Sequence, residues 1–331
     1  MNKYGLASGP FFVLAPMDDV TDTVFRRVVG ACAPPDLYFT EFVNVDGLQS
    51  PGRPNLLKKI RFTAKEQPLI VQIWGKNPEN YYKTAQQWVD GTFIHELGLP
   101  KDTVIAGIDI NMGCPEKAVV KNGCGSALIC DRPLAEQVIQ ATKDGVAGAL
   151  PISVKTRLGF NDVDLSWSHW LLDQNLDMLT IHGRTRKQMS LVAADWDLIG
   201  QIRQIRDEKK LNTLIVGNGD VRDRQHGLGL AQRYALDGIM IGRGVFADPF
   251  VFATDSPWPQ YNRRQKIGLY QCHVRLFADT WQSGERPVHT LNKFCKVYIN
   301  GFDGAKELRE QLMRAHSTTD LERLLQAAVE Q

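Results

Sequence analysis

The sequence predicts an α/β chain: a (β/α)8 TIM barrel over residues 1–252, followed by a small all-helical domain over residues 260–331. Three observations lead to this fold. Eight short apolar runs recur through the first 250 residues, each followed by a stretch with helical periodicity. Polar residues and glycines gather directly after nearly every run. Beyond Phe250 the strand-like runs cease and only helical patterns follow.

The runs are Phe12–Pro16, Leu37–Glu41, Leu69–Gly75, Val104–Asn111, Ile152–Arg157, Met178–His182, Thr213–Asn218 and Gly238–Gly242. Continuous apolar runs of this length suit parallel strands buried on both faces. Helix starts are signalled between them. Asn77-Pro78-Glu79 and Asp131-Arg132-Pro133 set a capping side chain before proline. Asp195 precedes Trp196, Ile199, Ile202 and Ile205, which share one helix face. An open doubly wound sheet is the competing arrangement, but no GxGxxG follows the first run. Residues 253–259 read as a linker, and Arg263–Gln282, Thr290–Asn300, Ala305–Ala315 and Asp320–Val329 as helices.

The 331 residues are 43% hydrophobic and 23% charged, an ordinary soluble composition with enough chain for one large domain and a smaller one. A net charge of +2 excludes the strongly basic class of nucleic-acid binders, so any contact with RNA must be local. No targeting segment and no apolar stretch of about 18 residues is present, and a cytoplasmic protein is expected, with no membrane partner. The six cysteines form no CxxC pair; free thiols and no metal site are expected. A monomer is the expected state.

In such a barrel the chemistry sits at the C-terminal strand ends. Those ends carry Ala15-Pro16-Met17-Asp18-Asp19, Thr40-Glu41, Gln72, Asn111-Met112-Gly113-Cys114-Pro115, Lys155-Thr156-Arg157, His182-Gly183-Arg184-Thr185, Gly217-Asn218-Gly219-Asp220 and Gly242-Arg243-Gly244. Glycines flanking Asn218 and Arg243 free backbone N–H groups to converge on an anion, and loops after the last two strands form the usual phosphate cup of these barrels. That assigns Asn218, Gly219, Asp220 and Gly242 to a cofactor phosphate, with Arg243 adding a charge-assisted contact.

The strings APM, NMGCP, VKTRLG, HGRT, GNGD and IGRG, in this order and spacing, resemble the tRNA-dihydrouridine synthase family. Lys296-x-Tyr298, Gly304-Ala305 and Leu308-Arg309 are similar to its helical domain. The resemblance implies a barrel that binds FMN, takes electrons from NADPH and reduces the 5,6 double bond of a D-loop uridine in tRNA. It implies that Lys155 and His182 contact the flavin, that Ala15, Pro16 and Met17 cover its ring, and that Cys114 donates the proton. Gln72 can hydrogen-bond the pyrimidine edge of the flavin, and Asn111 can pair with the uracil. Arg184 and Arg186, with Lys187, offer positive charge to tRNA, as do Arg263, Arg264, Lys266, Lys293 and Lys296. The sequence departs from the family where an aromatic residue usually follows HGRTRxQ: here it reads Met189-Ser190-Leu191-Val192. A small-molecule FMN barrel, of dihydroorotate dehydrogenase or ene-reductase type, would share the phosphate cup and Lys155 but not the appended helices. A non-catalytic tRNA-binding barrel would not need Cys114, Lys155 and His182.

Overall fold

The computed structural model describes residues 3–282 and 284–330. Its strands are β1 (Phe11–Leu14), β2 (Tyr38–Phe39), β3 (Val43–Asn44), β4 (Leu69–Trp74), β5 (Gly107–Met112), β6 (Ile152–Arg157), β7 (Met178–His182), β8 (Leu214–Asn218) and β9 (Gly238–Ile241). All pair in parallel, in the order β1-β9-β8-β7-β6-β5-β4-β2. A bridge between Val13 and Leu37 joins the two ends, so the sheet closes on itself. Each predicted run contains strand. The second, Leu37–Glu41, contains β2; β3 lies just past its end, and both pair with β4. Between them the Thr40 hydroxyl takes the Gln72 amide N–H at 3.1 Å, substituting for a ladder bond.

Alternation along the strands decides what fills the barrel. Phe11, Val13 and Ala15 of the first strand region join Leu37, Phe39, Ile70, Met178, Val216 and Met240 in one apolar cluster, with Tyr4 and Leu6 packed into it. On β4, β5 and β6 the same parity brings Gln72, Asp109, Asn111, Ser153 and Lys155 inward. The interior therefore has an apolar side and a polar side. The helix starts read from sequence are capped in the structure: Asn77 accepts from Glu79 N, Asp131 from Leu134 N and Asp195 from Leu198 N. Among the described residues no helix is long and apolar enough to cross a membrane.

Contacts group the chain into two units, Met1–Thr23 with Pro35–Gly242, and Val24–Pro34 with Arg243–Gln331. The division expected at residues 252–260 thus differs from the contact grouping at two places. The helix Thr23–Cys32, which follows β1, has its aromatic partners in the C-terminal helices: Phe25 lies 4.7 Å from the Phe294 ring and 5.8 Å from His273. Periodicity marks that this helix has an apolar face, but not which segment covers it. The second unit further contains helices Arg263–Thr280, Asn292–Tyr298, Ala305–Leu312 and Thr318–Glu330. At its centre His273 is fully buried and its Nδ1 pairs with Tyr298 Oη at 2.9 Å. Burial lowers the imidazole pKa to about 3, so it is a neutral core residue.

Candidate active site

The polar strand ends of the barrel unit converge at its mouth. Cys114 lies just past β5, partly buried, at the start of a loop that contains the short helix Lys117–Lys121. Asn111 Oδ1 receives the backbone N–H groups of Gly113 (3.1 Å) and Cys114 (2.9 Å), turning the chain sharply off the strand. Gly125, at φ +59°, lets the returning loop pass close: a Cβ there would lie 3.0 Å from Cys114 O. Burial pushes the Cys114 thiol above its usual pKa, so it is protonated at neutral pH and equipped to donate.

Lys155 stands opposite Asn111 in register on β6. Burial, and after it the neighbouring Arg157 charge, lowers its ammonium to about 8, against the attraction of Asp109. No hydrogen bond to Lys155 Nζ is found among the described residues, and beside it Thr180 Oγ1 is buried without a partner. An ordinary lysine titrates near 10.4, so between about pH 8 and pH 10.4 the unfolded chain binds more protons than the folded one. Stability of the flavin-free protein therefore rises with pH across that window. Lys155→Met is expected to melt above wild type near pH 7.5, by an amount of order 3 kcal/mol or less, and to lose that advantage near pH 10. Scanning calorimetry of both proteins across the window checks this; a difference independent of pH refutes it.

Gln72 and Asn111 belong to a hydrogen-bonded set with Asp109 and Ser153. Gln72 Nε2 donates to Asp109 Oδ2 at 2.7 Å, and Asn111 Nδ2 donates to Gln72 Oε1 at 3.0 Å. Ser153 Oγ donates to the other Asp109 oxygen at 2.6 Å. Burial pushes the Asp109 carboxyl up to about 6, while the Ser153 and Gln72 hydrogen bonds and the Lys155 charge pull it back. Asp109 was not singled out from the sequence. The signal was present: a carboxylate two residues before Asn111 in an otherwise apolar strand must share its interior face.

Around His182 the structure corrects one expectation. Arg184 is 2% exposed rather than open to a large substrate. Its Nε bonds Val192 O at 2.6 Å, one terminal nitrogen meets His182 Nε2 at 3.2 Å, and the other pairs with Asp220. A guanidinium in the HGRT turn points back under the loop because Gly183 and Asp195 zip the adjacent backbone together. Arg186 remains half-exposed and stacks over Phe160, 5.1 Å from the ring centre. The exposed Met189, Leu191 and Val192 follow it.

The glycine loops suit a close-approaching anion. Gly219 has φ +135°, and a Cβ there would sit 2.6 Å from Ala194 and 3.3 Å from the His182 ring. Asn218 Nδ2 donates to Met240 O at 2.9 Å, tying β8 to β9. At Gly242 a Cβ would meet only Ala15 at 3.5 Å and Met17 Sδ at 3.9 Å, so the backbone there faces the β1 loop across open contact distance. Arg243 is exposed and begins the second unit. Outside this set, Lys59 pairs with Asp18 at 2.5 Å, Asp19 at 3.3 Å and the buried Glu41 at 3.5 Å. Burial works against that ammonium, but the Glu41 and Asp18 charges hold its pKa above the usual range.

An ammonium and a hydroxyl without hydrogen-bond partners among the described residues, two oriented neutral amides and glycine-lined loops form a donor set that fits a flavin's carbonyls, ring nitrogens and phosphate. The chain matches the dihydrouridine synthase (Dus) family over residues 13–331. It is 45% identical over 320 residues to "Probable tRNA-dihydrouridine synthase 2" of Bacillus subtilis (strain 168), spanning 96% of this chain and 93% of that one. It is 44% identical over 328 residues to "Probable tRNA-dihydrouridine synthase" of Staphylococcus epidermidis strain RP62A, spanning 98% and 95%. Histamine dehydrogenase from Rhizobium sp. 4-9 shares the fold, with a TM-score of 0.51 at 12% identity, over 100% of this chain and 65% of that structure.

Proposed function

Because the chain belongs to the dihydrouridine synthase family, whose members are flavin-dependent oxidoreductases, we propose that it reduces the 5,6 double bond of a D-loop uridine in tRNA, using FMN and NADPH. The observation that carries this reading is Cys114: a partly buried thiol whose pKa burial raises, on the loop after β5, the strand whose Asn111 stands in register with Lys155 of β6. The family match favours it over a small-molecule flavin reductase.

When bound, the flavin supplies a hydride to one carbon of the uracil double bond. Cys114 Sγ gives up its proton to the neighbouring carbon, as a general acid. The unspent N–H of Asn111 takes a carbonyl of the base, and that of Gln72 a carbonyl of the cofactor's pyrimidine edge. Lys155 Nζ and His182 hold the cofactor ring by hydrogen bonds, and Lys155 offsets negative charge there. Ala15, Pro16 and Met17 cover the ring. Backbone N–H groups of the Asn218-Gly219-Asp220 and Gly242 loops hold the phosphate, and Arg243 joins them by its position next to Gly242 in the chain. A uridine must leave its stack to reach Cys114, so basic side chains such as Arg186 and Lys187 grip the surrounding backbone.

Arg243→Ala is expected to weaken FMN retention roughly tenfold. Flavin dissociation constants from fluorescence titration check this, and full retention would mean that the phosphate lies elsewhere. The function itself is tested anaerobically. Protein reduced with NADPH should be reoxidised rapidly by unmodified tRNA and not by free uridine, orotate or enones. Reoxidation by a small molecule alone would overturn the proposal.

A further inference from the structure

Asp109 is fully buried in the middle of β5, on the same interior face as Asn111 and between Gln72 and Ser153 in register. The bonds that leave it run in one direction. Gln72 gives an N–H to the carboxylate, Asn111 gives an N–H to the Gln72 carbonyl, and Gly113 and Cys114 give their backbone N–H groups to the Asn111 carbonyl. An amide side chain can be turned over, exchanging its donor for its acceptor, unless its neighbours forbid it. Here both ends forbid it. A carboxylate only accepts, a backbone N–H only donates, and each imposes the same polarity on the two amides between them. What Gln72 and Asn111 have left to offer is then an N–H each, with one lone pair of the Gln72 carbonyl; the Asn111 carbonyl is filled.

We propose that Asp109 is a positioning residue: through Gln72 and Asn111 it fixes which atoms these strand ends present to bound rings, and it holds the backbone of Cys114 at the mouth. The consequence for turnover rests on reading Cys114 as the proton donor. The effect on the loop does not.

The chain of bonds also defines what can replace Asp109. Ser153 Oγ is a hydroxyl and can turn from donor to acceptor. A neutral carboxamide at position 109 can therefore accept from Gln72 with its oxygen and donate to Ser153 with its nitrogen, leaving the amide polarity intact. A leucine of similar size gives Gln72 no acceptor, and the amide is released. Ser153→Ala removes a hydrogen bond from the same carboxylate but lies off the path to Cys114.

The test uses Asp109→Asn, Asp109→Leu and Ser153→Ala. The readouts are the alkylation rate of Cys114 by iodoacetamide in the flavin-free full chain, resolved by peptide mass spectrometry, and the FMN dissociation constant. Asp109→Leu is expected to change the Cys114 rate roughly tenfold and weaken FMN binding to a similar degree. Asp109→Asn and Ser153→Ala are expected to stay within about twofold of wild type in both, even where Ser153→Ala lowers the melting temperature. If Asp109→Asn, or Ser153→Ala, changes the Cys114 rate as Asp109→Leu should, the proposal is overturned. That criterion stands even if the leucine variant does not fold. Should the alkylation results hold while Cys114→Ala keeps full turnover, the positioning role survives and the reading of Cys114 as donor falls.

Discussion

Cys114→Ala is expected to retain yellow FMN and tRNA affinity while turnover falls roughly 10²–10⁴-fold. The substitution removes the thiol and its interaction with the Glu116 backbone, and leaves the other bonds of the turn in place. The Cys114 backbone N–H still bonds Asn111 Oδ1, Cys114 O still receives Ser126 N at 3.1 Å, and alanine keeps the Cβ that packs near Gly125. Hydride delivery does not pass through the thiol, so reduction of the bound flavin by NADPH should proceed at the wild-type rate. Only its reoxidation by tRNA should slow. Stopped-flow absorbance separates the two half-reactions. Loss of flavin from the purified variant, or slowing of its reduction, would contradict the role.

Asp220→Ala should lower the melting temperature of the barrel by roughly 6–12 °C, from a loss of about 3 kcal/mol. Arg184 is almost wholly enclosed, and Asp220 is the carboxylate paired with it. Removing a partner from a buried charge leaves that charge uncompensated, which costs more than the pair is worth. The figure is taken at the low end because the Asp220 side chain is 36% exposed. The same carboxylate also receives Ala194 N at 2.9 Å, so its loss removes one of the bonds between the loop after β7 and the loop after β8. Arg184→Met with Asp220→Ala should recover part of the loss, because the buried Arg184 charge is gone. A double variant that melts below Asp220→Ala would refute the account.

The fold was legible because its signal is redundant. Eight runs each carry enough apolar residues to be read alone, and caps such as Asn77 and Asp131 mark helix starts locally. Cys114, Lys155 and Asn111 could be found because strand ends are where such barrels hold reactive groups. Arg184 and Asp109 were harder for one shared reason: their roles are set by partners distant in sequence. Arg184 looks like any surface arginine until Asp220, 36 residues on, is seen to enclose it. Asp109 has meaning only beside Gln72 and Ser153, which strand pairing brings together. The interruption between β2 and β3 was hidden because a threonine hydroxyl, not a glycine or proline, takes over the ladder bond.

The membership of Val24–Pro34 in the second unit has a consequence for how the protein is made. Phe25 leaves the ribosome early, but Phe294, which its ring touches, is synthesised roughly 270 residues later. At ordinary elongation rates that interval is roughly 15–50 s. The other ring partners of Phe25, Phe246 and His273, also come late, after all nine strands have been synthesised. A stop codon before Phe246 would leave Phe25 without any of its three ring partners, Phe246, His273 and Phe294.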